Sequence, residues 1–153
     1  MTKYFRYYLR VRYSECDGQK VVYNARYGDY VGLATFEFLR AVGMHQDLND
    51  GNLSYQVVKQ VVEWKASARF DQILELSVIP KQIGNTSFTI TTEIRVAGRE
   101  EIIAVAETVH VLINERTMKK VTLFDNHRDL LLRGAVGAVT DHAGYFAGLG
   151  VTP

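Results

Sequence analysis

Glu15, Cys16 and Asp17 stand side by side in the stretch Tyr-Ser-Glu-Cys-Asp-Gly, residues 13–18. An aspartate with an ordinary pKa of about 3.9 is ionised at neutral pH. It serves without tuning as a general base on water or as a nucleophile. The same carboxylate near the start of a helix also serves as a solvated cap, held by free N–H groups and the helix dipole. Residue type alone leaves both roles open for Asp17. The N–H groups around Tyr23 to Arg26 have two uses as well, because free amides at a helix start polarise a carbonyl oxygen as readily as they bind a cap. Cys16 would need a base and a lowered pKa to act as a thiolate. No partner adjoins it in sequence, so it reads as a small packing residue. The four histidines, at 45, 110, 127 and 142, lack metal-ligand spacing, and no metal is expected. His110 falls in a strand pattern and reads as a satisfied core or sheet histidine. Glu37 reads as half of a structural pair. Glu63 and Arg69 read as an ion pair or as interface residues.

Periodicity gives the elements that must hold these groups. Residues 4–13 alternate, with Phe5, Tyr7, Leu9, Val11 and Tyr13 on one side and Arg6, Tyr8, Arg10 and Arg12 on the other, which predicts a strand with one buried face. From about Ala25 the period changes. Tyr27, Tyr30, Val31, Ala34, Phe38 and Val42 fall at helical spacing, and Gly43 is the stop signal. The Glu-Cys-Asp stretch therefore lies where a strand feeds a helix. A polar loop over 45–54 follows, carrying Asn-Asp-Gly. Strands are then predicted over 55–66, 72–80, 88–96 and 102–113, with turns at Gly84-Asn85 and Ala97-Gly98. A short strand over 119–123 and a short helix over 126–133 come next. The Gly- and Ala-rich segment 134–153 reads as a weakly ordered tail. Short turns between strands favour antiparallel pairing. One substantial helix and five or six strands give an α+β fold, a curved antiparallel sheet wrapped round the helix.

Bulk composition narrows the setting. The chain has 153 residues, enough for one domain with its own core. Net charge is +1, so no global basicity points to nucleic acid. A single cysteine cannot form an internal disulfide. The first residues lack an apolar signal core, and no apolar run is long enough to span a bilayer. A cytoplasmic protein without membrane insertion is expected.

Four motifs in order carry a family resemblance. They are Glu15-Cys16-Asp17 followed by Val21-Val22-Tyr23-Asn24-Ala25-Arg26-Tyr27; Glu37-Phe38-Leu39-Arg40 with Gly43; Val62-Glu63-Trp64 with Ala68-Arg69-Phe70-Asp71; and Thr86-Ser87 after a turn. Over about residues 4 to 125 the chain resembles the 4-hydroxybenzoyl-CoA thioesterase family of hotdog-fold proteins, in its YbgC-like acyl-CoA thioesterase branch. The resemblance implies a hotdog domain over 1–133, the tail over 134–153 lying outside it, and hydrolysis of an acyl-CoA thioester. Asp17 matches the family's catalytic aspartate, and Asn24 the position whose backbone N–H polarises the carbonyl. Tyr23, Tyr27, Arg69, Thr86 and Ser87 become candidate substrate contacts, Arg69 toward CoA and Thr86 and Ser87 toward the pantetheine arm. Lys81, Arg116, Lys119 and Lys120 are further cations for CoA phosphates. CoA enters as part of the substrate and no other cofactor is implied. The family acts as a dimer with sites at the subunit interface, so a homodimer at least is implied, and a homotetramer as a dimer of dimers.

The chain departs from that pattern in the loop itself. Gln19 and Lys20 replace a Gly-Gly pair, Asn24 replaces a histidine, Ser67 replaces a proline, and Glu15-Cys16 replace Asp-Thr. Three other readings stand beside thioester hydrolysis: a non-catalytic acyl-CoA or acyl-carrier-protein binding module, a 3-hydroxyacyl-thioester dehydratase, and a scaffold whose partner binds the exposed sheet. The dehydratase chemistry wants a histidine paired with an acidic residue, and the loop offers Asn24 instead.

Overall fold

The computed structural model describes residues 4–48 and 50–153. Met1–Lys3, part of the N-terminal segment read above, and Asn49 of the Asn-Asp-Gly loop lie outside the described residues. Six strands form one sheet: β1 (Phe5–Arg10), β2 (Leu53–Trp64), β3 (Ile73–Ile83), β4 (Ser87–Val96), β5 (Ile102–Asn114) and β6 (Val139–Asp141). Their order is β2-β5-β4-β3-β1-β6, with every neighbouring pair antiparallel except β1 and β6. The segment β3-β4-β5 is the expected meander of hairpins, and β1 and β2 are added at its two sides. One-residue register slips between Val57 and Lys59 in β2 and between Pro80 and Gln82 in β3 help the sheet to curve.

The curved sheet wraps α1 (Arg26–Val42), the hotdog arrangement. Helix α1 buries Tyr27, Tyr30, Val31, Ala34, Thr35, Phe38, Leu39 and Val42, a stripe at i, i+3, i+4 and i+7 spacing. Leu74, Leu76, Ile90, Ile94 and Leu112 meet it from alternate positions of β3, β4 and β5. Asp29 in the first turn and Arg40 in the last oppose the helix dipole correctly. Gly43 ends the helix at φ 91°, where the N–H of Met44 closes on the Leu39 carbonyl at 2.9 Å.

Three expectations need correction. No strand forms over 119–123; one bridge joins Lys120 to Ile113, and the segment then leads into α3 (Asp125–Arg133). The polar loop after Gly43 contains one helical turn, α2 (His45–Leu48). The tail is built into the fold. β6 lies parallel to β1, and α4 (Tyr145–Leu149) folds back over the outer face. Tyr145 stacks on Tyr8 with ring centres 5.1 Å apart and Phe146 meets Tyr8 edge-on at 5.1 Å. Asp141 caps α4, accepting the N–H groups of Ala143 and Phe146 at 3.0 Å. The tail therefore buries Tyr8 on the side of the strand that carries Arg6 and Arg10, while Tyr13, in register with Phe5 and Tyr7, is exposed beyond the strand's end.

Candidate active site

Between β1 and α1 the chain makes one 3₁₀ turn (Tyr13–Glu15) and then a tight hairpin. Cys16 and Val22 pair across the hairpin. The Asp17 N–H donates to the Val21 carbonyl and the Lys20 N–H to the Asp17 carbonyl, both at 2.9 Å. Lys20 takes the left-handed conformation, φ 61°, at the end of the turn. That is a glycine's place in a bulged hairpin. Here a lysine meets that geometry. At the tip, Asp17 is exposed. Its Oδ1 accepts the Gln19 N–H at 2.8 Å, which orients the carboxylate and leaves Oδ2 without a protein partner among the described residues.

Glu15 is the anchor of the loop rather than a second reactive acid. It is buried and accepts the Arg12 N–H at 2.7 Å, the Tyr30 hydroxyl at 3.0 Å and the Arg12 guanidinium at 3.0 Å. Burial pushes its carboxyl up, but these donors together outweigh burial and hold it below the usual carboxylate range. The Tyr30 phenol is driven far up, by burial first and then by that bond to Glu15. Cys16 is partly buried. Burial first, then the charges of Glu15 and Asp17, raise its thiol, which keeps it protonated and unsuited to attack.

The chain enters α1 through Tyr23, Asn24 and Ala25. The Arg26 N–H closes on the Tyr23 carbonyl and the Tyr27 N–H on the Asn24 carbonyl. Asn24 and Ala25 are exposed, and their N–H groups have no acceptor among the described residues. No side chain caps the helix there. The loop between β1 and α1 therefore carries both a carboxylate on a hairpin tip and two open amides at a helix start.

The segment 66–72 pairs with that loop. Val21 pairs with Arg69, the Val22 N–H donates to the Ala68 carbonyl, and the Phe70 N–H to the Lys20 carbonyl. Tyr23 is exposed beside the loop. Tyr27 is buried, its hydroxyl accepts the Ala68 N–H at 3.1 Å and its ring meets Trp64 edge-on. It fixes the wall from inside. Arg69 is exposed, and among the described residues no ion pair joins it to Glu63. Glu37 does pair, with Arg40 at 3.2 Å. Thr86 and Ser87 are not brought here. They sit in the β3–β4 turn, the length of β3 away, roughly 33 Å for its strand rise.

His110 differs in one respect from the sequence reading, and His127 takes a part that the sequence reading did not assign. His110 is buried and stacked on Phe88 with ring centres 4.9 Å apart, yet its Nδ1 has no partner among the described residues. Burial lowers its pKa to about 4, so the ring is neutral at pH 7. His127 is fully buried between Asp47, 2.7 Å from Nε2, and the Tyr55 hydroxyl, 3.2 Å from Nδ1. That chain ties α2, β2 and α3 together. Its members lie 80 and 72 residues apart in sequence, too far for local spacing to reveal them.

Comparison with known proteins fits this geometry. The model of the thioesterase-like superfamily matches residues 11–131. The acyl-CoA thioester hydrolase YbgC of Escherichia coli O6:H1 is 32% identical over 119 residues, 77% of this chain and 88% of that one. The 1,4-dihydroxy-2-naphthoyl-CoA hydrolase of Nostoc punctiforme is 30% identical over 123 residues, 79% of this chain and 82% of that one. Among solved structures, the 1,4-dihydroxy-2-naphthoyl-CoA thioesterase from Synechocystis superposes with a TM-score of 0.75 at 22% identity, over 84% of this chain and 95% of that one. At that identity the superposition establishes the fold alone.

Proposed function

This chain belongs to the thioesterase-like superfamily and is a thioester hydrolase, and we propose that it cleaves acyl-CoA through Asp17 and the first amides of α1. What supports the mechanism is that one short loop carries an oriented, exposed carboxylate and two open N–H groups. The thioester carbonyl accepts from the Asn24 N–H, with Ala25 as second donor. Asp17 takes a proton from water as the hydroxide adds to the carbonyl carbon. The oxyanion that forms is held by the same amides and the helix dipole. The tetrahedral centre collapses, the C–S bond breaks, and the thiolate leaves as CoA with the proton from Asp17. Direct attack by Asp17 to give an anhydride, opened then by water, uses the same groups. A single turnover in ¹⁸O-water separates the two, because only the anhydride route lets an Asp17 oxygen reach the product. Asn24 contributes its main chain here, so the loss of a histidine side chain at this position does not remove the donor.

Substrate contacts divide by position. Tyr23 and Arg69 flank the loop from the surface and meet the substrate there, Arg69 toward a CoA phosphate. Tyr27 acts from beneath by holding Ala68. Thr86 and Ser87 serve the site only across a homodimer. β2 is an open edge with Val57, Val58, Val61 and Trp64 exposed. Its Trp64 end lies at the start of α1 and its Leu53 end lies by Asn114, next to the β3–β4 turn. Antiparallel pairing of two β2 edges sets the Trp64 end of one chain against the Leu53 end of the other. Thr86 and Ser87 of the second chain then come toward Asp17 of the first, and a homotetramer is a pair of such dimers.

The test is Asp17→Asn assayed by thiol release from a panel of acyl-CoAs. A loss of about 10²- to 10⁴-fold in kcat is expected with the fold intact. Wild-type turnover by a folded variant would rule the mechanism out. Binding of acyl-CoA without thiol release by the wild type would favour the binding-module reading.

A further inference from the structure

Two aromatic rings stand in solvent beside the hairpin that carries Asp17. Tyr13 is 71% exposed and Phe70 43%, and their rings meet at 89° with centres 5.6 Å apart. Rings this open keep much of their apolar surface in water, where a ligand can cover it. Their backbones are held in place. The Tyr13 carbonyl accepts the Cys16 N–H at 3.1 Å. The Phe70 N–H donates to the Lys20 carbonyl at 3.0 Å, and the Asp71 N–H to the Val11 carbonyl at 3.1 Å. Asp71 takes the left-handed conformation there, φ 69°, and its carboxylate pairs with Arg10 at 3.3 Å. The shelf is thus formed before any ligand arrives.

The cations around the shelf are of two kinds. Arg10 and Arg12 are engaged, with Asp71 at 3.3 Å and Glu15 at 3.0 Å. Lys20 and Arg69 are exposed, and neither joins an ion pair among the described residues. Arg69 precedes Phe70 in the chain, and Lys20 adjoins Phe70 through its carbonyl. Two rings at a right angle offer a flat bicyclic base one face to stack on and one edge to abut. With Lys20 and Arg69 alongside, the combination suits a purine nucleotide, the rings meeting its base and the cations its phosphates. An acyl chain would cover the rings and leave the cations unused.

We propose that Tyr13 and Phe70 form a shelf for the adenine ring of the CoA part of the substrate, with Lys20 and Arg69 at its phosphates. The proposal rests on the thioesterase reading and deepens it by giving the nucleotide end of the substrate a place on this chain. Adenine lies at the opposite end of CoA from the thioester, so the shelf acts on binding and touches no reacting atom. A contact made alike in the ground state and the transition state raises KM when it is lost and leaves kcat in place. The shelf is therefore felt by a CoA ester and not by an ester that ends at pantetheine.

The experiment compares kcat/KM for octanoyl-CoA with that for S-octanoylpantetheine, which lacks the nucleotide, and repeats the pair with the benzoyl esters. Taking the ratio within a pair cancels any general loss of activity. The wild type should favour the CoA ester. Tyr13→Ala with Phe70→Ala should lower the ratio roughly five- to a hundredfold through KM. Tyr13→Phe, which keeps the ring, should hold the ratio. A wild-type ratio near one, or a ratio unmoved in the double variant, overturns the shelf and leaves the thioesterase reading standing. Calorimetry with adenosine 3′,5′-bisphosphate gives a readout without turnover. Its affinity should fall by a similar factor in the double variant, and an unchanged affinity overturns the shelf. If no ester releases thiol, the thioesterase reading falls. Loss of bisphosphate binding in the folded double variant would then still support the shelf.

Discussion

Asp17 and Lys20 show how much chemistry one turn decides. Asp17 is the first residue of the bulged hairpin, so its main chain is bound on both sides while its carboxylate projects. Lys20 is the residue that must turn left-handed to close it. A side chain there costs about 1–2 kcal/mol, and glycine avoids that cost while losing some entropy in the unfolded chain. Lys20→Gly should therefore raise stability by about 0.5–1 kcal/mol in urea unfolding. A loss of stability would mean that the Lys20 side chain makes a contact outweighing its backbone strain. The sequence exposes this loop well, since the reactive residues are contiguous and the order Asp-Gly-X-X-Val is local. It does not expose the difference between Glu15 and Asp17. Both are loop carboxylates by type, and only the fold shows that Tyr30, fifteen residues on, turns Glu15 into an anchor.

Helix α1 was legible almost to the residue, because its stripe is long and ends in a glycine with no rival signal. The segment 134–153 was not. Its glycines and alanines resemble a linker in composition. What orders it is pairing with β1, more than 130 residues earlier, together with the capture of Tyr8 by Tyr145 and Phe146. The predicted strand over 119–123 failed for the opposite reason: it has the right residues but only one bridge to pair with. The clasp can be measured. Tyr145→Ala with Phe146→Ala removes two half-buried rings and their contacts with Tyr8, and should lower stability by about 2 kcal/mol. An unchanged urea midpoint would show that the tail adds no stability to the domain.

Considered as a whole molecule, the chain holds only part of its proposed site. Asp17, Tyr23 and Asn24 lie on the β1–α1 loop and Arg69 on the segment that pairs with it, whereas Thr86 and Ser87 stand at the far end of the sheet. A single sequence cannot show this division, because motif order says nothing about which end of a strand a motif occupies. The proposed pairing across β2 would resolve it and gives a direct prediction. Val58→Lys with Val61→Lys places charge along the open edge, a device that blocks strand addition. The variant should sediment as a monomer at micromolar concentration and lose on the order of a hundredfold in thiol release. A monomer with full activity would show that each chain works alone.

The parallel strand β6 also has a bearing on stoichiometry. It is the edge of the sheet opposite β2 and offers only three residues, against twelve in β2. One open edge satisfied by a two-fold partner is a closed reaction, finished at two chains. With both edges open, each addition would expose a new end and growth would have no terminus. If the proposed dimer forms across β2, the three-residue edge at β6 would give a further copy little to pair with, and edge-to-edge growth would end at two chains.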